Sequence, residues 1–242
     1  MLKYIKNIKD FLVASRIFLL IKPFSGLFKT LSNFSLFTSW QSAANRDKTL
    51  LINDFYVPGR DHSRRYKLYN AVGQALALEA KKINYLEFGV ASGSSFKWWV
   101  NFNKNAESHF AGFDTFEGLP ESWGGYKKGE MSFQIPDISD ERTAFYKGLF
   151  QETLNPFLDK NGNRFHESLS IIHLDADLFS ATIFALSQLY RFIKKGDIIF
   201  FDELSVPNHE FLAYKIFTES FGIKLKPLGG VNNFYQVAFI VE

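Results

Sequence analysis

The chain has 242 residues, of which 46% are hydrophobic, 17% aromatic and 22% charged, a composition typical of a folded globular protein and not of a disordered or fibrous one. It contains no cysteine, which excludes disulfides, thiolate nucleophiles, zinc–thiolate sites and iron–sulfur clusters and fits a cytoplasmic location. The net charge of +3 is uneven, because residues 1–30 carry six basic residues against one acidic residue and the rest of the chain is slightly acidic. A nucleic-acid-binding protein would spread its basic excess over the folded core, so no nucleic-acid partner is expected.

The first predicted region, residues 1–62, is a helical arm that caps the domain after it. Asp10, Arg16 and Lys22 interrupt its apolar residues, whereas a membrane-spanning helix needs about 20 mostly apolar residues. As a helix, this segment is amphipathic over its first three turns and apolar on all sides after Arg16. We favour packing on the core or on a second copy in a homo-oligomer, ahead of peripheral contact of residues 1–30 with the inner face of a membrane.

The second predicted region, residues 63–242, is the domain that binds ligands. It opens with an Ala- and Leu-rich helix that begins near Leu68 and ends at Lys81 and Lys82, and from residue 84 short strands alternate with helices. The predicted strands are 84–90, 109–114, 143–147, 170–175, 197–202 and 236–241, and the predicted helices are 94–103, 150–158, 180–194 and 208–221. This alternation implies right-handed crossovers, and therefore an α/β fold with a doubly wound, mostly parallel, Rossmann-like sheet.

Polar residues stand at the carboxyl ends of the predicted strands, where parallel α/β sheets bind ligands. The first strand ends in a Glu-x-Gly-x-x-x-Gly loop from Glu87 to Gly93, whose glycines let the backbone approach a ligand. Glu87 would repel a phosphate but suits the ammonium group of S-adenosylmethionine (AdoMet), which carries no phosphate. Asp114 ends the second strand about 20 residues after Gly93, the distance at which an acidic residue meets ribose hydroxyls in nucleotide-binding proteins.

Five short segments of the domain resemble, in the same order along the chain, the motifs of one enzyme family. They are 86–93 (LEFGVASG), 112–120 (GFDTFEGLP), 147–154 (KGLFQETL), 173–180 (HLDADLFS) and 196–203 (GDIIFFDE). Together they resemble the class I AdoMet-dependent methyltransferases, and within them the macrocin O-methyltransferase family, which methylates sugar hydroxyls on macrolides. The resemblance covers about residues 83–220. It implies an AdoMet pocket formed by Glu87, Gly89, Ala91, Ser92, Gly93, Ser94, Asp114, Thr115, Lys147, Gly148 and Asp175.

The resemblance also implies a magnesium ion held by Asp175, Asp202 and Glu203, which follow the fourth and fifth strands. Members of this family usually have an aspartate where Glu203 stands, but a glutamate also offers the oxygen ligands that Mg²⁺ prefers. A bound cation would lower the pKa of an acceptor hydroxyl while a carboxylate or an imidazole takes its proton. Asp175 is the first candidate for metal ligand or base, and His209, near a predicted helix start, is a second candidate base.

Other residues near these motifs receive structural interpretations. His173 is expected to be a core histidine, and Asp177 is expected to cap the helix that begins near residue 180. The segment 116–129 contains four glycines and is predicted to be a mobile lid over the cleft. Two roles are open for Trp123 and Tyr126 in that segment: stacking on a sugar, and ordinary packing within the loop.

The expected function is therefore an AdoMet-dependent O-methyltransferase that acts, with help from a divalent metal, on a hydroxyl of a sugar or glycosylated metabolite, such as a glycan precursor. A catechol-type O-methyltransferase acting on a small aromatic is an alternative, because it uses the same arrangement of carboxylates at strand ends. A non-catalytic AdoMet-binding protein that assembles through its N-terminal helices is an alternative of another class. Conversion of AdoMet to S-adenosylhomocysteine separates the two enzymes from the non-catalytic protein. The acceptor that this conversion requires separates the two enzymes from each other.

Overall fold

The computed structural model describes residues 2–122 and 125–242. One sheet contains the strands β1 (Ile52–Asn53), β2 (Ile83–Phe88), β3 (His109–Asp114), β4 (Thr143–Lys147), β5 (Leu169–Leu174), β6 (Ile198–Phe201), β7 (Leu225–Val231) and β8 (Gln236–Val241). Their order across the sheet is β1-β7-β8-β6-β5-β2-β3-β4. Strands β2 to β6 pair in parallel, and β8 is antiparallel to both of its neighbours, β6 and β7. The predicted α/β fold with a mostly parallel sheet is confirmed.

Helices cover both faces of this sheet. The helices of the described chain are α1 (Leu2–Ala14), α2 (Ser25–Asn45), α3 (Arg65–Ala75), α4 (Ser94–Phe102), α5 (Phe150–Asn161), α6 (Arg164–Glu167), α7 (Phe179–Leu189) and α8 (Glu210–Phe221), with 3₁₀ helices at Ile17–Phe24 and His62–Arg64. Successive side chains of a strand point to opposite faces, so Leu86 and Phe88 enter a core with α5, α7 and α8 while Tyr85 enters a second core with α3 and α4. The central strands are covered on both faces, and ligands can reach them only at their ends.

The sequence patterns located most strands but missed two. Strand β7 was not predicted, because Pro227, Gly229 and Gly230 are typical of a loop. In the structure it pairs with β8, with a shift of register between Pro227 and Gly229, and β1 pairs with its other edge. The predicted helix 180–194 was too long, since α7 ends at Leu189.

The arm docks on the domain through α2 and through β1, which pairs with β7. Phe37 and Ala44 are buried, and Trp40 packs against the rings of Phe211 and Phe239. The first part of the arm is different: from residue 4 to residue 24 every side chain except that of Leu12 is exposed. The expected packing of this segment on the core is therefore wrong. The boundary between residues 62 and 63 stays a prediction.

Within the described residues, no single helix is long and apolar enough to cross a membrane. Two consecutive helical segments, Tyr4–Ala14 and Ile17–Asn45, are together long and apolar enough to do so by length and composition, and they meet at a bend of 66°.

Candidate active site

A cleft of about 490 Å³ opens at the carboxyl ends of β2, β3, β5 and β6. Seven of the residues predicted for the site line it: Gly89, Ala91, Asp114, Thr115, Asp175, Asp202 and Glu203. A smaller cleft of about 310 Å³ adjoins it, and Glu87, Ser92 and Ser94 line that one together with Ala91 and Asp175. The parallel sheet thus brings most of the predicted residues to one edge, as the position of ligand sites in such sheets requires.

Position 89 requires a glycine, because two strand ends come into close contact there. Its φ is +91°, and a Cβ at this position would lie 1.9 Å from the carbonyl oxygen of Asp175. Its amide donates to the carbonyl of Phe113 at 2.9 Å. No side chain fits there, so this glycine is required for the loops that follow β2 and β5 to meet at the cleft.

Asp114 holds two loops around the cleft. Its Oδ2 accepts a hydrogen bond from the amide of Ala91 at 2.8 Å, and its Oδ1 accepts one from the amide of Phe116 at 2.7 Å. Thr115 donates from its hydroxyl to the carbonyl of Gly118 at 2.8 Å. Each carboxylate oxygen has a second lone pair, so Asp114 can order these loops and still accept hydrogen bonds from ribose hydroxyls.

Glu87 belongs to a buried network beneath the cleft. It is 1% exposed and accepts a hydrogen bond from the hydroxyl of Tyr85, which also contacts Nδ1 of His173 at 2.9 Å. Tyr69 contacts Nε2 of the same imidazole at 3.2 Å. Burial alone would lower the pKa of His173, but its interactions with Asp202 and Glu87 outweigh burial and raise it to about 9. The interpretation of His173 as a core histidine is confirmed.

Other predicted residues lie beside the cleft without lining it. Gly93 has a φ of +78°, and Gly148 donates its amide to the carbonyl of Asp114 at 3.0 Å. Lys147 forms an ion pair with Glu117 at 3.0 Å on the surface. His209 precedes α8, and its Nδ1 accepts from the amide of Phe179 at 3.3 Å. Roles for these residues in binding or catalysis stay predictions.

Arg65 lies between the carboxylates that follow β5 and β6. Its guanidinium is 3.3 Å from Oδ2 of Asp175 and 2.8 Å from Oδ2 of Asp202. Burial and the neighbouring Asp202 raise the pKa of Asp175, and Arg65 opposes that rise. No sequence motif marks this arginine, because only the fold brings the first turn of α3 to the two strand ends.

The donor atoms at this position suit a divalent cation. His173, Asp175 and Asp202 each offer a ligand atom, and these atoms lie within 4.8 Å of one another. Oδ1 of Asp202 and Oε2 of Glu203 are buried and have no hydrogen-bond partner among the described residues. Buried carboxylate oxygens without partners are the ligands that Mg²⁺ prefers. Glu203 itself turns to Tyr235, whose hydroxyl donates to it, and lies outside the cluster of three.

Asp177 is not the helix cap that the sequence suggested. The residue before α7 is Leu178, and the helix start has no side-chain cap. Asp177 instead has a φ of +58° and lines the cleft. Burial raises the pKa of this carboxyl to about 6, with its interaction with Glu203 acting in the opposite direction. The second aspartate of the Asp-x-Asp pattern therefore lines the cleft together with the first, Asp175.

The loop after β3 contributes Gly118, Leu119, Pro120 and Glu121 to the cleft. Leu119 and Glu130 are joined by a backbone hydrogen bond of 2.9 Å, which folds the loop back on itself. Tyr126 is 48% exposed in this loop, and Trp123 lies outside the described residues. The description of this segment as a mobile lid stays a prediction.

A mostly parallel α/β sheet with a glycine loop after β2, an aspartate after β3 and carboxylates after β5 and β6 is the arrangement expected of an AdoMet-dependent O-methyltransferase. The family model described as macrocin O-methyltransferase (TylF) matches residues 64–236. The chain therefore belongs to the macrocin O-methyltransferase family and is an AdoMet-dependent methyltransferase.

Solved structures share this fold at low sequence identity. The calicheamicin methyltransferase CalS11 aligns with a TM-score of 0.59 and 18% identity over 87% of this chain and 91% of its own. Another structure of CalS11, described as a TDP-rhamnose 3'-O-methyltransferase, gives a TM-score of 0.52 and 17% identity over 87% and 93%. The O-methyltransferase NovP gives 0.52 and 16% over 89% and 98%. No curated protein sequence matches this chain.

Proposed function

We propose that this methyltransferase acts on a hydroxyl of a sugar or glycosylated metabolite. The observation that carries the proposal is the acidic wall of the cleft, formed by Asp175, Asp177, Asp202 and Glu203. Carboxylates accept hydrogen bonds from hydroxyl groups, and a sugar offers several hydroxyls to such a wall. The description of CalS11 as a TDP-rhamnose 3'-O-methyltransferase and the macrocin acceptor in the family's description support the same class of acceptor.

Asp177 is the proposed proton acceptor. AdoMet, when bound, supplies an activated methyl group on a sulfonium sulfur. A hydroxyl attacks this group far better as it loses its proton, and a carboxylate with a pKa of about 6 is largely ionised at neutral pH while still basic enough to take that proton. Asp177 lines the same cleft as Asp114, so the base and the proposed ribose ligand share one cavity.

The remaining residues position the two substrates. Gly89 leaves room for the backbone to approach the donor, and Asp114 offers acceptor oxygens to its ribose. Arg65 forms ion pairs with Asp175 and Asp202 and holds their side chains in place. Aligning two substrates in one water-poor cleft accounts for a large share of the rate of a bimolecular displacement.

A divalent cation is part of the proposal. Asp175 and Asp202 would hold it, with His173 or Glu203 nearby, and the cation would lower the pKa of the acceptor hydroxyl. The buried oxygens without hydrogen-bond partners on Asp202 and Glu203 support this assignment. Arg65 contacts the same two aspartates, so a cation and the guanidinium compete for them.

Release of S-adenosylhomocysteine in the presence of chosen acceptors tests the function. We expect release with TDP-rhamnose as the probe, and less of it after chelation by EDTA. Release with catechol and not with the sugar nucleotide would contradict the sugar assignment. Phe150 is the only phenyl ring among the described residues that line the larger cleft, which does not favour a flat aromatic acceptor. Binding of AdoMet without turnover on any acceptor would favour the non-catalytic alternative.

A further inference from the structure

The exposed apolar side chains of this protein are concentrated in one segment. Between residues 4 and 36, hereafter the arm segment, sixteen large hydrophobic side chains are exposed, against nine in the rest of the described chain. Contiguous apolar surface on this scale marks a site that another surface covers. Among the described residues, no part of the domain packs over these sixteen side chains.

The distribution of this surface favours lipid over a second protein chain. Five consecutive residues, Ile17 to Ile21, are each 47–75% exposed. In a 3₁₀ helix, five consecutive side chains point in every direction around the axis. A helix of a second copy would cover one side of that axis and leave the other apolar side chains in water, whereas a segment sunk into the boundary between headgroups and acyl chains has lipid on more than one side.

The charges of the arm segment complement an anionic surface. Arg16 and Lys22 flank the apolar run, and Lys6, Lys9 and Lys29 lie on either side of them. No acidic residue occurs between Asp10 and Asp47. In the described part of the chain, no ion pair involves any of these five cations. Basic side chains around an apolar insert are the combination that binds anionic lipid.

The arm segment connects to the domain close to the entrance of the active site. Asn208 donates to Thr30 at 2.7 Å and accepts from Asn33 at 2.9 Å. The next residue, His209, contacts the start of α7, where Ser180 lines the larger cleft. The base of the arm segment and the wall of the cleft are therefore joined through a few residues.

We propose that the arm segment docks this protein on the surface of an anionic membrane. Residues 17–21 enter the boundary between headgroups and acyl chains, and Arg16 and Lys22 contact lipid phosphates. Docking through this segment places the cleft beside the bilayer surface, because the segment is anchored next to α7 and α8. This inference stands independently of the acceptor that the cleft uses.

Flotation of the full-length protein with vesicles tests it. We expect the wild type to float with vesicles of phosphatidylcholine and phosphatidylglycerol, and much less with phosphatidylcholine alone. The double variant Phe18→Ser, Leu20→Ser should lose at least about tenfold in affinity. Arg16→Gln with Lys22→Gln should lose about tenfold on the anionic vesicles only. Neither pair contacts the core, so folding is retained, which circular dichroism checks.

Matched controls remove the same chemistry elsewhere. Phe133→Ser with Ile135→Ser removes two exposed apolar side chains from a loop of the domain, and Lys81→Gln with Lys195→Gln removes two exposed charges. Both should float as the wild type does. The proposal is overturned if the wild type does not float with anionic vesicles, or if the arm variants float unchanged. It is also overturned if sedimentation shows a dimer that Phe18→Ser, Leu20→Ser dissociates while no variant floats. AdoMet titration on the same samples reports the enzyme's function separately.

Discussion

The cleft and the arm segment differ in how far their charged and apolar side chains are exposed to water. In the cleft, the carboxyl ends of the strands hold the carboxylates of Asp202 and Glu203 away from water, and burial raises the pKa of Glu203. In the arm segment, cations and large apolar side chains stand in water with few contacts. A substitution in the cleft therefore acts through buried neighbours, whereas one in the arm segment acts on an external surface and leaves the fold unchanged.

Gly89→Ala is expected to have the largest effect, because it places a Cβ against the backbone of Asp175. We expect the free energy of unfolding to fall by on the order of 4 kcal/mol, or no folded protein to be recovered. Gly196→Ala is the matched control, since Gly196 has a similar φ of +94° and nothing within 4 Å of its Cβ position. That variant should lose only about 1–2 kcal/mol in urea denaturation. Equal losses in both variants would show that the close contact does not matter.

Arg65→Ala tests the balance of charge between the cleft's carboxylates. Removal of the guanidinium leaves Asp175 and Asp202 close together, so we expect a loss on the order of 3 kcal/mol in EDTA. Added Mg²⁺ should raise the melting temperature of this variant more than that of the wild type, because the cation takes the place of the lost charge. Arg64→Ala removes an ion pair to Asp54 outside the cleft and should gain nothing from Mg²⁺. Equal responses of the two variants to Mg²⁺ would contradict the proposed metal ligands.

The dependence of stability on pH tests the burial of Glu203. Burial raises the pKa of this carboxyl from 4.5 to about 8, with Asp177 adding to the rise. Between these values the folded state holds a proton that the unfolded state has released, so stability falls as pH rises from about 5 to about 8. Urea denaturation in EDTA should show this decline, and Glu203→Gln should make it shallower. A wild-type stability that increases over this interval would contradict the assignment.

The arm variant Phe18→Ser, Leu20→Ser should have the smallest effect on stability. Both side chains are more than half exposed, so the free energy of unfolding should change by no more than about 0.5 kcal/mol. Trp40→Ala, in the second half of α2, should lower it by about 2 kcal/mol, because that indole packs against four aromatic rings of the domain. Thermal unfolding of the two proteins provides the comparison. A large loss in the arm variant would mean that residues 17–21 do pack on the domain.

Alternating strands and helices were sufficient to predict the sheet and the edge where the cleft lies, because strand periodicity and the chemistry at strand ends are local. Strand β7 was not predicted because Pro227 and its neighbouring glycines are typical of a loop. Its pairing with β8 depends on the tertiary structure. Helix α2 lies within the predicted helical arm, but its bounds did not follow from the sequence because its two halves face different surroundings and share no common apolar face.

The site was predicted less completely than the sheet. Asp114, Asp175 and Asp202 followed from their places after strands, whereas Arg65 lies 110 residues before Asp175 and no spacing links them. Asp177 was assigned to a cap, because an aspartate just before a helix usually has that role. Its backbone conformation, with a positive φ, directs it to the cleft instead, and this becomes visible only in three dimensions.

The most direct test of the division between the cleft and the arm segment is the rate of methyl transfer by two variants on the same soluble acceptor. Asp177→Asn should lower kcat by about 100-fold or more, and should abolish the increase in activity through pH 6 that ionisation of Asp177 gives the wild type. Phe18→Ser, Leu20→Ser should retain the wild-type kcat within about twofold, since it is remote from the reacting atoms. Full activity of Asp177→Asn, together with loss of activity in the arm variant, would contradict the account.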